Sequence, residues 1–137
     1  MAHTRPLRTS QSGDMRRLVR DSHKEILELF RIYLGSPADS RQAIVEQILD
    51  QLESHLEMEE GLLIQTHKSG ANGRKLVEVA EREQEEIKSM IFTLRQSEAD
   101  DDQALDEFFE DMMQTVQAHF VTEERDILPL IVPSSDA

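Results

Sequence analysis

The sequence contains no cysteine. That single absence excludes disulfide frameworks, thiolate metal sites, iron–sulfur clusters and thiol catalysis, and it fits a reducing compartment. Aromatics are scarce, with one Tyr, five Phe and no Trp. β-Branched alternation is absent as well, so nothing reads as a strand. No apolar run approaches the ~20 residues that span a bilayer, and the N-terminus has no apolar stretch of signal-peptide type. The expectation is a cytoplasmic protein with no membrane partner. Positive charge is the minority sign, since 15 Lys and Arg stand against 28 Asp and Glu for a formal net charge of −13. Basic residues concentrate only near the N-terminus, at Arg5, Arg8, Arg16, Arg17 and Arg20. A surface that neutralises phosphates needs clustered Lys and Arg, so nucleic acid is not expected as a partner of the folded body.

What is present is helical periodicity. A chain of 137 residues suits one domain and can bury a core without a disulfide or structural metal. Residues 1–13 are polar, contain Pro6 and Gly13, and read as a flexible tail. Residues 14–131 carry four periodic segments, and residues 132–137 read as a second tail. The first segment, from about Asp14 to Leu34, puts Leu18, Val19, Ile26, Leu27, Phe30 and Leu34 on one stripe. Gly35 and Ser36 end it, and Ser36 as cap, Pro37 and Asp39 start the next. That second segment runs to about Thr66 with Ile44, Ile48, Leu52, His55, Glu59, Leu62 and Leu63 in phase.

Gly70 and Gly73 flank the following turn. The third segment, from about Lys75 to Arg95, carries Leu76, Ala80, Ile87, Ile91 and Leu94. Asp100 to Asp102 form an acidic helix start. The fourth segment, from about Gln103 to Leu130, carries Leu105, Phe109, Met112, Val116, His119, Glu123, Ile127 and Leu130 until Pro129 and Pro133 end it. Four long helices with short connections predict an all-α, up-down-up-down antiparallel four-helix bundle. Phe30, Phe92, Phe109 and the methionines from Met15 to Met113 are expected in its core or against it.

The chemistry-bearing residues follow the same phase. His55 and Glu59 are four apart, and so are His119 and Glu123; such pairs project from one helix face. In an acidic chain one His-x-x-x-Glu pair is most simply solvated. Here both pairs fall on the apolar stripe, as does His23. Three imidazoles and two carboxylates aimed at one interior are costly unless paired or bound to metal. Imidazole with carboxylate and no thiolate suits iron, manganese or zinc, and two neighbouring carboxylates can bridge two ions. The halves of the chain also repeat weakly: His55 to Glu60 matches His119 to Glu124, and this alignment sets Gln84 opposite His23.

Rival chemistries lack their motifs. No His has Glu three residues before it, as a ferritin-like site requires. His-Glu-x-x-His and Gly-x-Ser-x-Gly are both absent. His3, in the tail, reads as solvated. His67 suits the end of the second helix as a cation on its dipole.

Taken together, His23, His55-x-x-x-Glu59-Glu60 and His119-x-x-x-Glu123-Glu124 with Leu128-Pro129 resemble the hemerythrin-like (HHE cation-binding) domain family over roughly residues 14 to 130. The resemblance implies a non-haem di-iron centre whose family members bind or sense dioxygen, or handle nitric oxide, peroxide or iron. It implies that His23 and His55 ligate one iron, that Glu59 and Glu123 bridge, and that His119 ligates the other.

The chain departs from the family on the third helix, where family members carry His at the position of Gln84 and often also at that of Ala80. Glu83 borders the inward face and could swing in, while Glu81 and Glu85 face water. Glu60 and Glu124 are candidates to orient ligands from outside. A single metal, an asymmetric pair and a weakly held second metal stay open. So do two classes of function. One is a protein, enzyme or not, that binds or turns over a small diatomic molecule or peroxide at iron. The other is a non-catalytic module whose fold responds to metal and signals to a protein partner of unspecified kind.

Overall fold

The structure is a computed structural model that describes residues 11–66, 71–97 and 102–131. His3, His67, Gly70, Asp100, Asp101, Pro133, most of the N-terminal tail and the C-terminal tail lie outside the described residues. Four α-helices follow one another: α1 (Gln11–Leu34), α2 (Ala38–Thr66), α3 (Ala71–Gln96) and α4 (Asp102–Thr122). After α4 the chain continues through a π-helical turn, Glu123–Ile127, and a 3₁₀ turn, Leu128–Leu130. There is no strand among the described residues, and none of their helices is long and apolar enough to cross a membrane.

Cross-helix contacts give the helix directions. His23 meets His55 with ring centroids 4.7 Å apart, while Arg41 sits 5.0 Å over the Tyr33 ring, so α1 and α2 run oppositely. Glu59 pairs with Gln84 and Glu53 with Arg95, which reverses α3 against α2. Across α1 and the α4 segment, His23 pairs with Glu124 and Tyr33 with Asp106. These pairings fit the up-down-up-down order.

The core is layered. Ile26, Phe30, Leu52, Ile87, Phe109 and Val116 belong to the large apolar cluster in one half of the bundle. Val19, Leu62 and Leu128 form a smaller cluster in the other half, beside a third made by Leu63, Val77, Ala80 and Ile127. Each helix thus passes from a small cluster to the large one, and its polar inward residue lies between them. That residue is His23 between Val19 and Ile26, His55 and Glu59 before Leu62, Gln84 between Ala80 and Ile87, and His119 and Glu123 before Ile127. The outcome is a polar layer closed by apolar side chains on both sides. At the far end of the large cluster, Tyr33 Oη donates to Asp106 at 2.9 Å and Arg41 donates to the same carboxylate at 3.0 Å.

Several sequence expectations need correction. Leu18, Leu34 and Phe92 are 55%, 51% and 64% exposed. In each case the adjacent residue, Val19, Tyr33 or Ile91, takes the inward position; neighbours on a helix are about 100° apart and cannot both face one core. α2 begins at Ala38, one residue later than expected, and the Ser36 hydroxyl donates to the Ile32 carbonyl at 2.7 Å at the end of α1. Gly73 lies in the first turn of α3 instead of in the turn before it. The fourth segment is not one continuous α-helix, since it widens into the π turn at Glu123.

Candidate metal centre

The polar layer brings together His23 from α1, His55 and Glu59 from α2, Gln84 from α3, and His119 and Glu123 from α4 and its π turn. All of these are buried, at 3% exposure or less. One ligand atom each from His23, His55, Glu59 and Glu123 lies within 4.8 Å of all the others. Short contacts link the cluster. His23 Nε2 is 2.7 Å from Glu123 Oε1, and His55 Nε2 is 2.5 Å from Glu59 Oε2. His119 Nε2 is 3.3 Å from Glu59 Oε1, and Gln84 Nε2 donates to that same oxygen at 2.5 Å.

Every imidazole turns Nε2 inward and has Nδ1 engaged from outside. His23 Nδ1 meets Glu124 Oε2, His55 Nδ1 meets Ser22 Oγ, and His119 Nδ1 meets Glu83 Oε1, each at 2.7 Å. Such outer partners fix the tautomer and ring orientation of a ligating histidine. Phe120 adds a packing constraint, stacking on the His23 ring with centroids 3.9 Å apart and planes 13° from parallel.

The π turn explains how two successive residues serve one ring. The Leu128 amide donates to the Glu123 carbonyl, an i to i+5 bond that widens the helix locally. Glu123 and Glu124 then reach the two nitrogens of His23. Insertions of this type recur at functional sites.

The electrostatics are those of a site that holds positive charge. Burial pulls His23 down, yet its hydrogen bonds to Glu123, Glu59 and Glu124 outweigh this and raise it to about 9. Burial likewise opposes His119, and Glu59, the charge of Glu123 and Glu83 lift it to about 9. His55 is raised against its burial by Glu123 and Glu59. The two carboxylates divide. Burial favours the neutral form of both, but hydrogen bonding from Glu123 and the histidines holds Glu59 well below the usual range. Burial and the neighbouring Glu59 raise Glu123. Two buried carboxylates this close do not both ionise freely unless cations compensate them.

The residues therefore fit a bound cation. The donors are imidazole and carboxylate, and Glu123 Oε2 is a buried oxygen with no hydrogen-bond partner. Of the residues singled out from sequence, His23, His55, Glu59, His119, Glu123 and Gln84 all line the layer. Glu83 stands outside it, on the rear nitrogen of His119. Glu124 has the outer role expected of it, whereas Glu60 is exposed and 3.4 Å from Lys88. Glu81 and Glu85 face solvent. Sequence reasoning missed Ser22 and Phe120. Each adjoins a layer histidine in the chain, and that adjacency was the only signal for either.

Fold and site define a helical bundle built to take a cation among buried imidazoles and carboxylates. The family model of the hemerythrin HHE cation-binding domain matches residues 14–131, and the chain belongs to that family. No curated protein and no solved structure matches the chain.

Proposed function

We propose that the chain binds iron in this layer and uses it to bind or sense dioxygen, nitric oxide or peroxide. The observation that carries the reading is the inward convergence of three Nε2 atoms whose Nδ1 atoms are each held from outside. His23, His55, Glu59 and Glu123 would hold the ion. Iron held there would supply the chemistry that binds a small diatomic molecule or peroxide. The protein contributes the rest. Phe120 and the apolar clusters on both sides restrict water, and Ser22, Glu83 and Glu124 set the ring orientations. Manganese and zinc share this ligand preference, so the metal is decided by elemental analysis of protein purified without a His tag or added chelator. The reading requires bound iron and an absorbance change on adding dioxygen, nitric oxide or peroxide.

A second reading rests on a different observation, namely that the layer joins all four helices through buried charged groups. A cation that neutralises them stabilises the whole bundle, because its binding free energy adds to that of folding. The chain would then act as a non-catalytic regulatory or iron-handling module. A large metal-dependent melting shift, together with a centre inert to all three small ligands, would favour it.

A further inference from the structure

We propose that the centre holds a single ion, between His23, His55, Glu59 and Glu123, and that Gln84 and His119 close the other half of the polar layer by hydrogen bonding. The proposal rests on the metal-binding reading above and fixes its stoichiometry.

The Glu59 carboxylate divides the layer. Its Oε2 faces His55 Nε2 at 2.5 Å and His23 Nε2 at 3.8 Å. Glu123 stands on that same side, with Oε1 at 2.7 Å from His23 Nε2 and 3.7 Å from His55 Nε2, and with Oε2 unpartnered. Two imidazole nitrogens and two carboxylates, one with a spare oxygen, make a full donor set for a first-row metal.

The other side is poor in donors. Glu59 Oε1 already accepts from the Gln84 amide at 2.5 Å and lies 3.3 Å from His119 Nε2. An amide N–H donates and cannot ligate. Reversing the amide would set two acceptor oxygens 2.5 Å apart, so the hydrogen bond fixes its orientation. Glu83 is engaged by Nδ1 of His119, on the far side of that ring. One turn before Gln84, Ala80 belongs to an apolar cluster. What remains for a second ion is His119 Nε2, one shared Glu59 oxygen and at most the free Glu123 Oε2, fewer than the four donors of a tetrahedral site. The helix that would complete the second position supplies a hydrogen-bond donor in its place.

The test is to load the metal-free full chain with Mn(II), and separately with Fe(II) under anaerobic conditions, and to count ions per chain by elemental analysis. Electron paramagnetic resonance of the manganese form reports whether the ions interact. One ion per chain with the spectrum of an isolated Mn(II) is the expected result. Two ions per chain with a spin-coupled spectrum overturn the single-ion proposal and leave the metal-binding reading standing, whereas no bound ion of either kind overturns both. Gln84→His replaces the amide donor with an imidazole and is expected to raise the count to two. A folded variant that stays at one ion overturns the part assigned to Gln84.

Discussion

Glu124 Oε2 accepts a hydrogen bond from Nδ1 of His23 at 2.7 Å, across 101 positions of sequence. The contact lies in the π turn after α4, where Glu124 follows Glu123 toward the same ring. Removing it frees His23 to rotate on its stack with Phe120 and weakens the preference for Nδ1–H. Outer partners of this kind typically contribute about 10–100-fold in metal affinity. Glu124→Ala is therefore expected to lower metal affinity within that range, with helix content unchanged. Glu124 is half-exposed, so its effect on folding should be small. A titration of metal against a competing chelator checks this, and an affinity equal to wild type would show that the contact does not orient the ligand.

His55→Ala tests the ligand assignment directly. Its Nε2 sits among the four converging donor atoms, and it is the imidazole nearest to Glu59. The variant should lose bound metal entirely or nearly so in elemental analysis. Full retention would remove His55 from the site and with it the assignment of the layer as a metal centre.

Much of this site was legible because polar residues that share the phase of an apolar stripe must face the core. His55, Glu59, His119 and Glu123 stand four apart at positions where the flanking turns are apolar, and the geometry of a helix does the rest. Gln84 was placed by repeat alignment, yet its partner was not readable, because the bond to Glu59 depends on how close α3 comes to α2. The stripe also misassigned neighbours. Leu18 beside Val19 and Leu34 beside Tyr33 are equally apolar choices, and the direction of packing against α2 and α4 decides between them. The π turn left no mark in composition. His119 and Glu123 have ordinary α-helical spacing, and only the Leu128 amide bond to the Glu123 carbonyl shows that the helix has widened.

Tyr33 offers a control at the opposite end of the bundle. It is fully buried, and its hydroxyl is tied to Asp106, which also receives Arg41. Burial first, then the Asp106 carboxylate, push the phenol above its ordinary range, so it stays protonated and donates. Tyr33→Phe deletes one hydrogen bond while keeping the ring packed on Phe30 and Phe109. The expected loss is about 1 kcal/mol of stability, read from urea unfolding, with metal content unchanged. A fall in metal content would mean that the two ends of the bundle are coupled.

The last prediction concerns pH, and its sign follows from the raised histidines. In the metal-free protein His23 and His119 are lifted from 6.5 to about 9. A group raised on folding contributes stability that is fully present below its unfolded value and is lost as pH rises through its folded value. Metal-free stability should therefore fall between pH 6.5 and 9. Glu59 works in the opposite sense. Its carboxylate is held well below 4.5, so its contribution is present above 4.5 and is lost as pH falls through the lowered value. Glu123, raised above 4.5 by burial and Glu59, contributes a loss of stability as pH climbs above 4.5, so the metal-free protein is expected to be most stable near 4.5 and to weaken on both sides. Metal reverses the alkaline limb, because imidazoles must shed their protons to ligate. The increase in melting temperature on adding metal should grow as pH rises from 6.5 to 9. Thermal melts with and without metal across that range check both trends. A metal-induced shift that shrinks with rising pH would mean that the ion does not replace protons on these imidazoles.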